Sequence, residues 1–231
     1  MEEVSDLLRD ARNAVGFRTE LLSRCWISDE AFEIRCRRPP RFQFAPGQRV
    51  RFIQKEVERD YSPVSSPEDE EIGFLVKSVK GGLFTSVLAS APEGASFLFT
   101  GPHGYFRFYP SERLPVFVAT GTGIAPFVSM AEAGVKGFIL LHGVRRFLDL
   151  YYEPLLRKTA KLYVPCLSAV KDPREGAPGA FAGRVTGYLS SQLGPGAYDF
   201  YLCGNADMIK EVILLVDQRF PDSRVYTETF Y

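Results

Sequence analysis

Histidine and cysteine are scarce in this 231-residue chain, which holds two histidines and four cysteines. The cysteines stand singly, without a CxxC pair, at Cys25, Cys36, Cys166 and Cys203. Zinc and iron–sulfur sites need closely spaced thiolates, so neither is expected here, and the thiols are interpreted as reduced. With only His103 and His142, a histidine-rich metal centre is excluded, and a histidine-based hydrolase would depend on one of the two. His103 is expected to be a solvated loop histidine.

Net charge and long apolar segments are also absent. The 28 basic residues balance the 28 acidic ones, which disfavours a nucleic-acid partner. The longest uncharged run, residues 114–131, is broken by prolines and glycines, so no membrane-spanning helix is expected. The N-terminal MEEVSDLLRD lacks the basic and apolar regions of a secretory signal, which favours a cytoplasmic location. The composition, 45% hydrophobic and 24% charged, is that of a globular protein with one large or two ordinary domains.

The apolar pattern divides the chain into three segments. Residues 1–16 carry an apolar stripe that predicts a short amphipathic N-terminal helix. Residues 17–112 contain short alternating runs between Pro and Gly turns, which predict an antiparallel β barrel. In residues 113–231 apolar runs alternate with stretches able to form helices, so we expect an α/β domain with a parallel sheet.

A glycine-rich turn opens the third segment. An apolar strand runs into Thr120-Gly121-Thr122-Gly123, and Pro126 stands near the start of the following helix. Such a turn can offer backbone N–H groups, hydroxyls and a helix N-terminus to a phosphate. Pro126 replaces the third glycine of the dinucleotide fingerprint GxGxxG, so a generic tight turn remains the alternative.

Five elements in order resemble the ferredoxin–NADP reductase superfamily, over nearly the whole chain from Phe17 onward. They are the RxYS element Arg59–Ser62, the GxxS/T element Gly82–Thr85, the GTGIAP element Gly121–Pro126, the CG...M element Cys203, Gly204 and Met208, and the acid-x-aromatic ending Glu228–Phe230. The resemblance implies a Greek-key β barrel that binds flavin and an adjoining α/β domain that binds a nicotinamide cofactor.

For the barrel, the resemblance implies FAD, with FMN less expected, at the first two elements. Tyr61 can stack on the flavin ring, Ser62 can hydrogen-bond a flavin nitrogen, and Arg59 can pair with pyrophosphate oxygens. The alternative for this element is a strand edge with a solvated arginine.

The element from Gly82 to Thr85 is expected to form a second anion cradle at a helix start. The alternative is a simple helix cap at Thr85 or Ser86, and both can hold at once. One phosphate cradle in each half fits a flavin dinucleotide and a nicotinamide dinucleotide.

For the α/β half, the resemblance places Cys203 against the nicotinamide and lets Glu228 support the hydrogen bonds around Ser62. Phe230 would cover the flavin until nicotinamide displaces it, although Tyr231 extends the chain and could take that role. The remaining cofactor contacts are expected at Thr120, Gly121, Thr122, Gly123, Pro126, Gly204 and Met208. The alternative for Cys203 is a small buried hydrophobe at a strand end.

The choice between NADH and NADPH rests on the residues after the third strand of this half. Ser168-Ala169 stands where NADPH-specific relatives tend to carry Ser-Arg, so the expected arginine is missing. The basic residues close enough in sequence to replace it are Arg145, Lys171, Arg174 and Arg184. We favour NADH slightly and keep both cofactors open.

The function implied is an FAD-dependent NAD(P)H reductase that passes electrons to a separate ferredoxin, flavodoxin, or oxygenase or hydrogenase component, or to a small molecule. The flavin and the nicotinamide supply the reactive atoms, so the protein must align them and exclude water, with Ser62, Cys203 and Glu228 in that role. One alternative is a flavin-binding interaction or regulatory subunit that does not turn over. Another is a dehydrogenase without flavin, which the first two elements disfavour.

Overall fold

The computed structural model describes residues 16–170 and 179–229. The predicted N-terminal helix lies outside the described residues, as do Lys171, Arg174, Phe230 and Tyr231. The chain forms two compact units, one that ends at Arg107 and one that begins at Phe108.

The first unit is a six-stranded antiparallel sheet. Its elements are β1 (Gly16–Ser28), β2 (Ala31–Arg37), β3 (Arg49–Gln54), β4 (Val57–Tyr61), β5 (Glu71–Lys77), α1 (Leu83–Ser90) and β6 (Ser96–His103). The strand order is β4-β3-β6-β1-β2-β5, and an isolated antiparallel bridge from Pro63 to Phe74 links the chain after β4 to β5, the strand at the opposite edge. The predicted antiparallel β unit is confirmed.

Phenylalanine fills the interior of this unit. The ring of Phe52 on β3 is fully buried and lies 5.1 Å from Phe74, 5.6 Å from Phe99 and 5.8 Å from Phe84 of α1, measured between centroids. Strand alternation turns every second residue inward, so these aromatics meet from different strands. Phe84 and Leu88 are the buried residues of α1 in this core, and the partly buried Val87 and Ala89 also pack against it.

The second unit is a six-stranded parallel sheet with helices. Its elements are β7 (Leu114–Thr120), α2 (Ala125–Glu132), β8 (Ile139–Val144), α3 (Glu153–Thr159), β9 (Leu162–Leu167), β10 (Phe181–Ala182), α4 (Val185–Ser191), β11 (Tyr198–Gly204), α5 (Ala206–Arg219) and β12 (Arg224–Thr229). The order is β10-β9-β8-β7-β11-β12, and every pairing is parallel. The predicted α/β domain is therefore confirmed.

The strand order reverses between β7 and β11. From β7 the chain proceeds outward through β8 and β9, and it then returns to place β11 on the other side of β7. In open parallel sheets, ligands bind beyond the carboxyl ends of the strands at such a switch point. The crevice of interest thus lies beside the turns that follow Thr120 and Gly204.

Within the described ranges, none of the helices is long and apolar enough to cross a membrane. No group of three or more His, Cys, Asp and Glu side chains suited to a metal ion occurs in the part of the chain that the structure describes.

Candidate functional site

Strand β4 brings the RxYS element against the start of α1. The ring of Tyr61 lies 6.0 Å from that of Phe84 on α1 and 5.9 Å from that of Phe52, measured between centroids. Arg59 lies two residues before Tyr61 and shares its face of β4. Burial raises the pKa of Tyr61 to about 12, although the charge of Arg59 opposes this, so the phenol is neutral at physiological pH. The structure therefore joins the first two predicted elements at one place.

The hydroxyl of Ser62 is a buried polar group of the first unit whose hydrogen-bonding capacity is unsatisfied among the described residues. Ser62 is 2% exposed, and among the described residues its Oγ has no hydrogen-bond partner. A buried hydroxyl without a partner costs about 1–3 kcal/mol, so such groups in proteins are nearly always satisfied. A flavin ring, whose nitrogen and oxygen atoms accept and donate hydrogen bonds, would satisfy it beside Tyr61. The residues present thus fit an FAD.

The first turn of α1 is free to receive an anion. The helix begins after Gly82, earlier than the alternative caps at Thr85 and Ser86, and no side chain in the described part of the chain caps it. The Thr85 hydroxyl instead donates to the Gly82 carbonyl over 3.4 Å. A Cβ at Gly82 would lie 2.5 Å from Thr85 Oγ1 and 3.0 Å from the carbonyl oxygen of Val79, so a side chain would not fit. The alternative of a helix cap at Thr85 or Ser86 is therefore wrong, because the helix begins at Leu83. The N–H groups of its first turn suit a phosphate.

Arg59 supplies the positive charge nearest to this helix start along β4. Its guanidinium donates to the carbonyl of Glu58 over 2.7 Å, and within the described ranges it forms no ion pair with a carboxylate. An arginine bonded only to a neutral carbonyl keeps its charge and most of its donors for a diphosphate. The geometry suits the predicted pyrophosphate contact.

In the second unit the glycine-rich turn packs tightly against β11. A 3₁₀ turn, Gly121–Ile124, follows β7, and Gly121 has a φ of 54°, a left-handed conformation that favours glycine. A Cβ at Gly123 would lie 2.4 Å from the Cys203 carbonyl oxygen, and one at Gly204 would lie 2.3 Å from Thr120 Oγ1. The close approach of the two turns therefore requires glycine at both Gly123 and Gly204. This packing requirement is separate from the phosphate contact that the motif predicts.

Asn205 is a residue of this site that the sequence analysis missed. Its backbone N–H donates to Thr120 Oγ1 over 3.0 Å, which ties the turn after β11 to the turn after β7. Its side-chain oxygen accepts from the N–H groups of Asp207 and Met208 and so caps α5. An asparagine between an apolar strand and a helical pattern is the signal that could have identified it. Pro126 lies in the first turn of α2, as its position in the motif suggested.

Cys203 and Glu228 are direct neighbours in the sheet. They are register partners on β11 and β12, and Cys203 is fully buried. Burial raises the pKa of the Cys203 thiol well above its ordinary value, and the charge of Glu228 adds to this. The thiol therefore stays protonated and is no nucleophile, which is compatible both with a positioning role and with the small buried hydrophobe of the alternative.

The ends of β8 and β9 place the residues considered for cofactor choice. The Ser168 hydroxyl donates to the Val144 carbonyl over 3.2 Å, and the Ala169 N–H donates to the Arg145 carbonyl over 3.2 Å. Arg145 and Ser168 therefore lie side by side, and the Arg145 side chain is exposed. Arg184 is exposed one residue before α4.

Each of the two histidines lies on a strand, within hydrogen-bond distance of a neighbouring hydroxyl group. His103, expected in a solvated loop, instead ends β6 and is only partly exposed, with its Nε2 3.0 Å from Thr100 Oγ1. His142 on β8 is fully buried, with its Nδ1 3.0 Å from the Tyr163 hydroxyl. Burial lowers the pKa of His142 to about 3, so it is neutral at physiological pH.

Comparisons with known proteins agree with this division. Residues 22–108 match the oxidoreductase FAD-binding domain family, and residues 117–213 match the oxidoreductase NAD-binding domain family. The chain belongs to the superfamily of FAD- and NAD-binding oxidoreductases that resemble ferredoxin–NADP reductase. It carries an FAD-binding domain followed by an NAD-binding domain.

Individual relatives include a dioxygenase electron transfer component and a flavodoxin/ferredoxin–NADP reductase. The chain is 35% identical over 181 residues to the toluate 1,2-dioxygenase electron transfer component of Pseudomonas putida, covering 73% of this chain and 53% of that protein. It is 29% identical over 175 residues to the flavodoxin/ferredoxin–NADP reductase of Escherichia coli, covering 68% of this chain and 71% of that protein. This chain therefore spans about half of the former and about two thirds of the latter.

Solved structures share the fold. A ferredoxin NADP⁺ reductase from Neisseria gonorrhoeae with bound FAD and NADP superposes with a TM-score of 0.80 at 20% identity, covering 95% of this chain and 100% of that one. The fold of this chain, a β unit followed by a parallel α/β unit, is therefore shared with that structure.

Proposed function

We propose that this protein is an FAD-dependent NAD(P)H reductase that passes electrons to a separate acceptor. The observation that carries the proposal is the buried hydroxyl of Ser62 beside Tyr61, which has no hydrogen-bond partner among the described residues and lies within the segment that matches the FAD-binding family. The switch point between β7 and β11, within the segment that matches the NAD-binding family, supplies the second cofactor site.

On the flavin side, each residue has a separate task. Tyr61 presents a neutral aromatic ring for stacking, and Ser62 offers a hydroxyl that would fix the orientation of the ring edge. Arg59 and the uncapped first turn of α1 would hold the diphosphate. The chemistry itself belongs to the cofactors, because a reduced nicotinamide supplies a hydride and FAD, when bound, supplies its acceptor.

On the nicotinamide side, the protein provides position more than reactivity. The turns after β7 and β11 are fixed to each other by the Thr120–Asn205 hydrogen bond, so the surface they present is preorganised. Cys203 stays neutral and would keep water from the reacting ring. The support that Glu228 would give to the hydrogen bonds around Ser62 remains part of the proposal, as does the cover of the flavin by Phe230 or Tyr231.

The acceptor is proposed from the relatives. They include a dioxygenase electron transfer component and flavodoxin/ferredoxin–NADP reductases, which supports a ferredoxin, a flavodoxin or an oxygenase component as the partner. For the donor we favour NADH slightly, because Ser168 is followed by alanine and not by an arginine for the 2′-phosphate. Arg145, exposed beside Ser168, could still accept NADPH.

Steady-state assays on the purified full chain, reconstituted with FAD, test this function. We expect oxidation of NADH, and more slowly of NADPH, when ferricyanide, a ferredoxin or a flavodoxin is supplied as acceptor. FAD binding without any nicotinamide oxidation would instead indicate the regulatory subunit that the sequence left open. Failure of the folded protein to bind FAD would overturn the proposal.

A further inference from the structure

The carboxylate of Asp60, inside the RxYS element, holds two arginines of the neighbouring strand. Its Oδ1 accepts from Arg51 Nε over 2.7 Å, and its Oδ2 accepts from Arg51 Nη2 over 3.0 Å and from Arg49 Nε over 2.8 Å. Arg51 and Asp60 are directly opposed in the β3–β4 ladder. Three charged hydrogen bonds therefore cross between the two strands at one carboxylate, which is only 25% exposed.

Strand β4 needs such support because it is short and lies at the end of the strand order. It has five residues and is paired along its length only with β3. A slip of one residue would turn every side chain of β4 to the opposite face. Arg59 and Tyr61 would then leave the side of α1, and the flavin site would be lost.

The charges around Asp60 keep it ionised. Burial raises the pKa of Asp60, but the hydrogen bonds and charges of Arg51 and Arg49 outweigh this, so its pKa lies below the ordinary value. The other titratable groups of this face are Glu58, whose carboxylate lies 3.6 Å from Arg51, and His103, which is paired with Arg49 in the ladder of β3 and β6. The clamp is thus present throughout the neutral pH range.

Asp60 itself points away from the flavin residues. Successive side chains of a strand alternate between its faces, so Asp60 lies opposite to Arg59 and Tyr61. Asp60 also forms ion pairs with Arg49 and Arg51. Arg59, on the opposite face of β4, donates to a carbonyl and can still bind an anion. The influence of Asp60 on a flavin must therefore pass through the position of β4.

We propose that Asp60 is a positioning residue of the flavin site, which fixes the register of β4 through Arg49 and Arg51 and thereby places Arg59, Tyr61 and Ser62. The proposal rests on FAD binding, the first step of the proposed function. Asp60 is the variable residue x of the RxYS element in this chain, and positioning β4 is the role proposed for it.

Asp60→Asn tests the clamp, because asparagine keeps the size of the side chain and removes its charge. We expect the dissociation constant for FAD, measured by titrating FAD into flavin-free protein, to rise about tenfold, as expected for loss of a charged hydrogen bond. The visible circular dichroism of bound FAD should also change, since it reports the placement of the ring and not overall stability. Asp60→Glu, which keeps the charge, should recover part of both.

A matched control removes another carboxylate of the same unit. Glu20 accepts from Arg37 over 3.2 Å in an exposed pair between β1 and β2, so Glu20→Gln should leave FAD affinity and the spectrum unchanged. Arg51→Gln should reproduce the effect of Asp60→Asn. The double variant should be little worse than either single variant, because both remove the same clamp.

The outcomes separate this inference from the proposed function. If the unmodified protein does not bind FAD, the proposed function fails first. If it binds FAD and Asp60→Asn binds equally tightly with an unchanged spectrum, the clamp is not a positioning device. Fully additive losses in the double variant would also overturn it. If Asp60→Asn fails to fold, Arg51→Lys is the second test, because lysine keeps the charge but cannot make both hydrogen bonds to Asp60. We expect this variant to bind FAD more weakly. Unchanged binding would refute the clamp.

Discussion

The hydroxyl of Thr120 accepts the backbone N–H of Asn205 over 3.0 Å, and this bond joins the two turns at the switch point of the parallel sheet. Since Gly123 and Gly204 leave no room for a side chain between these turns, the hydroxyl completes a close packing. Thr120 therefore links the two turns through its hydroxyl oxygen, in addition to the phosphate contact that the sequence predicts for it.

Replacing Thr120 by valine should weaken nicotinamide binding. Valine keeps the shape but leaves the Asn205 N–H without its acceptor, at a cost of about 1–2 kcal/mol, or roughly fivefold to thirtyfold in affinity. Titration of the oxidised cofactors NAD⁺ and NADP⁺, which cannot reduce the flavin, into the FAD-loaded protein measures this. Thr120→Ser, which keeps the acceptor, is the control and should bind almost as the parent does. Equal affinity in the valine variant would show that the link does not shape the site.

Removing the hydroxyl of Ser62 should have opposite effects on stability and on function. In the flavin-free protein, Ser62→Ala removes a buried hydroxyl without a partner, so the free energy of unfolding should stay equal or rise. With FAD bound, reduction by NADH should slow, because the ring loses an orienting contact. Urea unfolding and stopped-flow reduction measure the two effects. A large loss of stability in the flavin-free variant would indicate a purely structural serine.

Arg59→Ala should weaken FAD binding tenfold to hundredfold, or about 1.5–3 kcal/mol, since a charge-assisted bond to the diphosphate is lost. Fluorescence titration with FAD gives the dissociation constant. Arg18, an exposed arginine of the same unit that donates to Ser96 Oγ, provides the control as Arg18→Ala. Similar losses in both variants would point to a general effect of charge and not to a specific contact.

Acid should destabilise the protein through His142. Its pKa is about 3 in the folded chain and about 6.5 when unfolded, so between these values only the unfolded state binds the proton. Stability is therefore lost as pH falls below 6.5, by about 1 kcal/mol between pH 7 and about pH 5.5. Urea unfolding of the parent and of His142→Gln at both pH values tests this, because the variant should lack that part of the loss. Identical pH dependence would contradict it.

The sequence was sufficient for elements whose residues carry a strong local pattern. The runs around Phe117, Leu140, Val164 and Phe200 became β7, β8, β9 and β11, because four buried parallel strands must be apolar on both faces. The start of α1 could not be predicted from the sequence, since Gly82, Thr85 and Ser86 are all acceptable caps, and in the structure the cap is Gly82.

Long-range pairings could not be predicted. Nothing local to Asp60 indicates that Arg49 and Arg51 stand across from it, because the register of β3 and β4 depends on the assembled sheet. The same holds for the Thr120–Asn205 bond, whose partners are 85 positions apart. His103 was expected to be solvated, but its place at the end of β6 became apparent only with the neighbouring strands.

Anaerobic mixing of the FAD-loaded protein with NADH or NADPH is the decisive experiment on the proposed reductase activity. We expect the visible flavin absorbance to bleach on mixing and to return when a ferredoxin, a flavodoxin or ferricyanide is added. Persistent yellow colour with both nicotinamides, in protein that has bound FAD and is folded, would contradict a reductase.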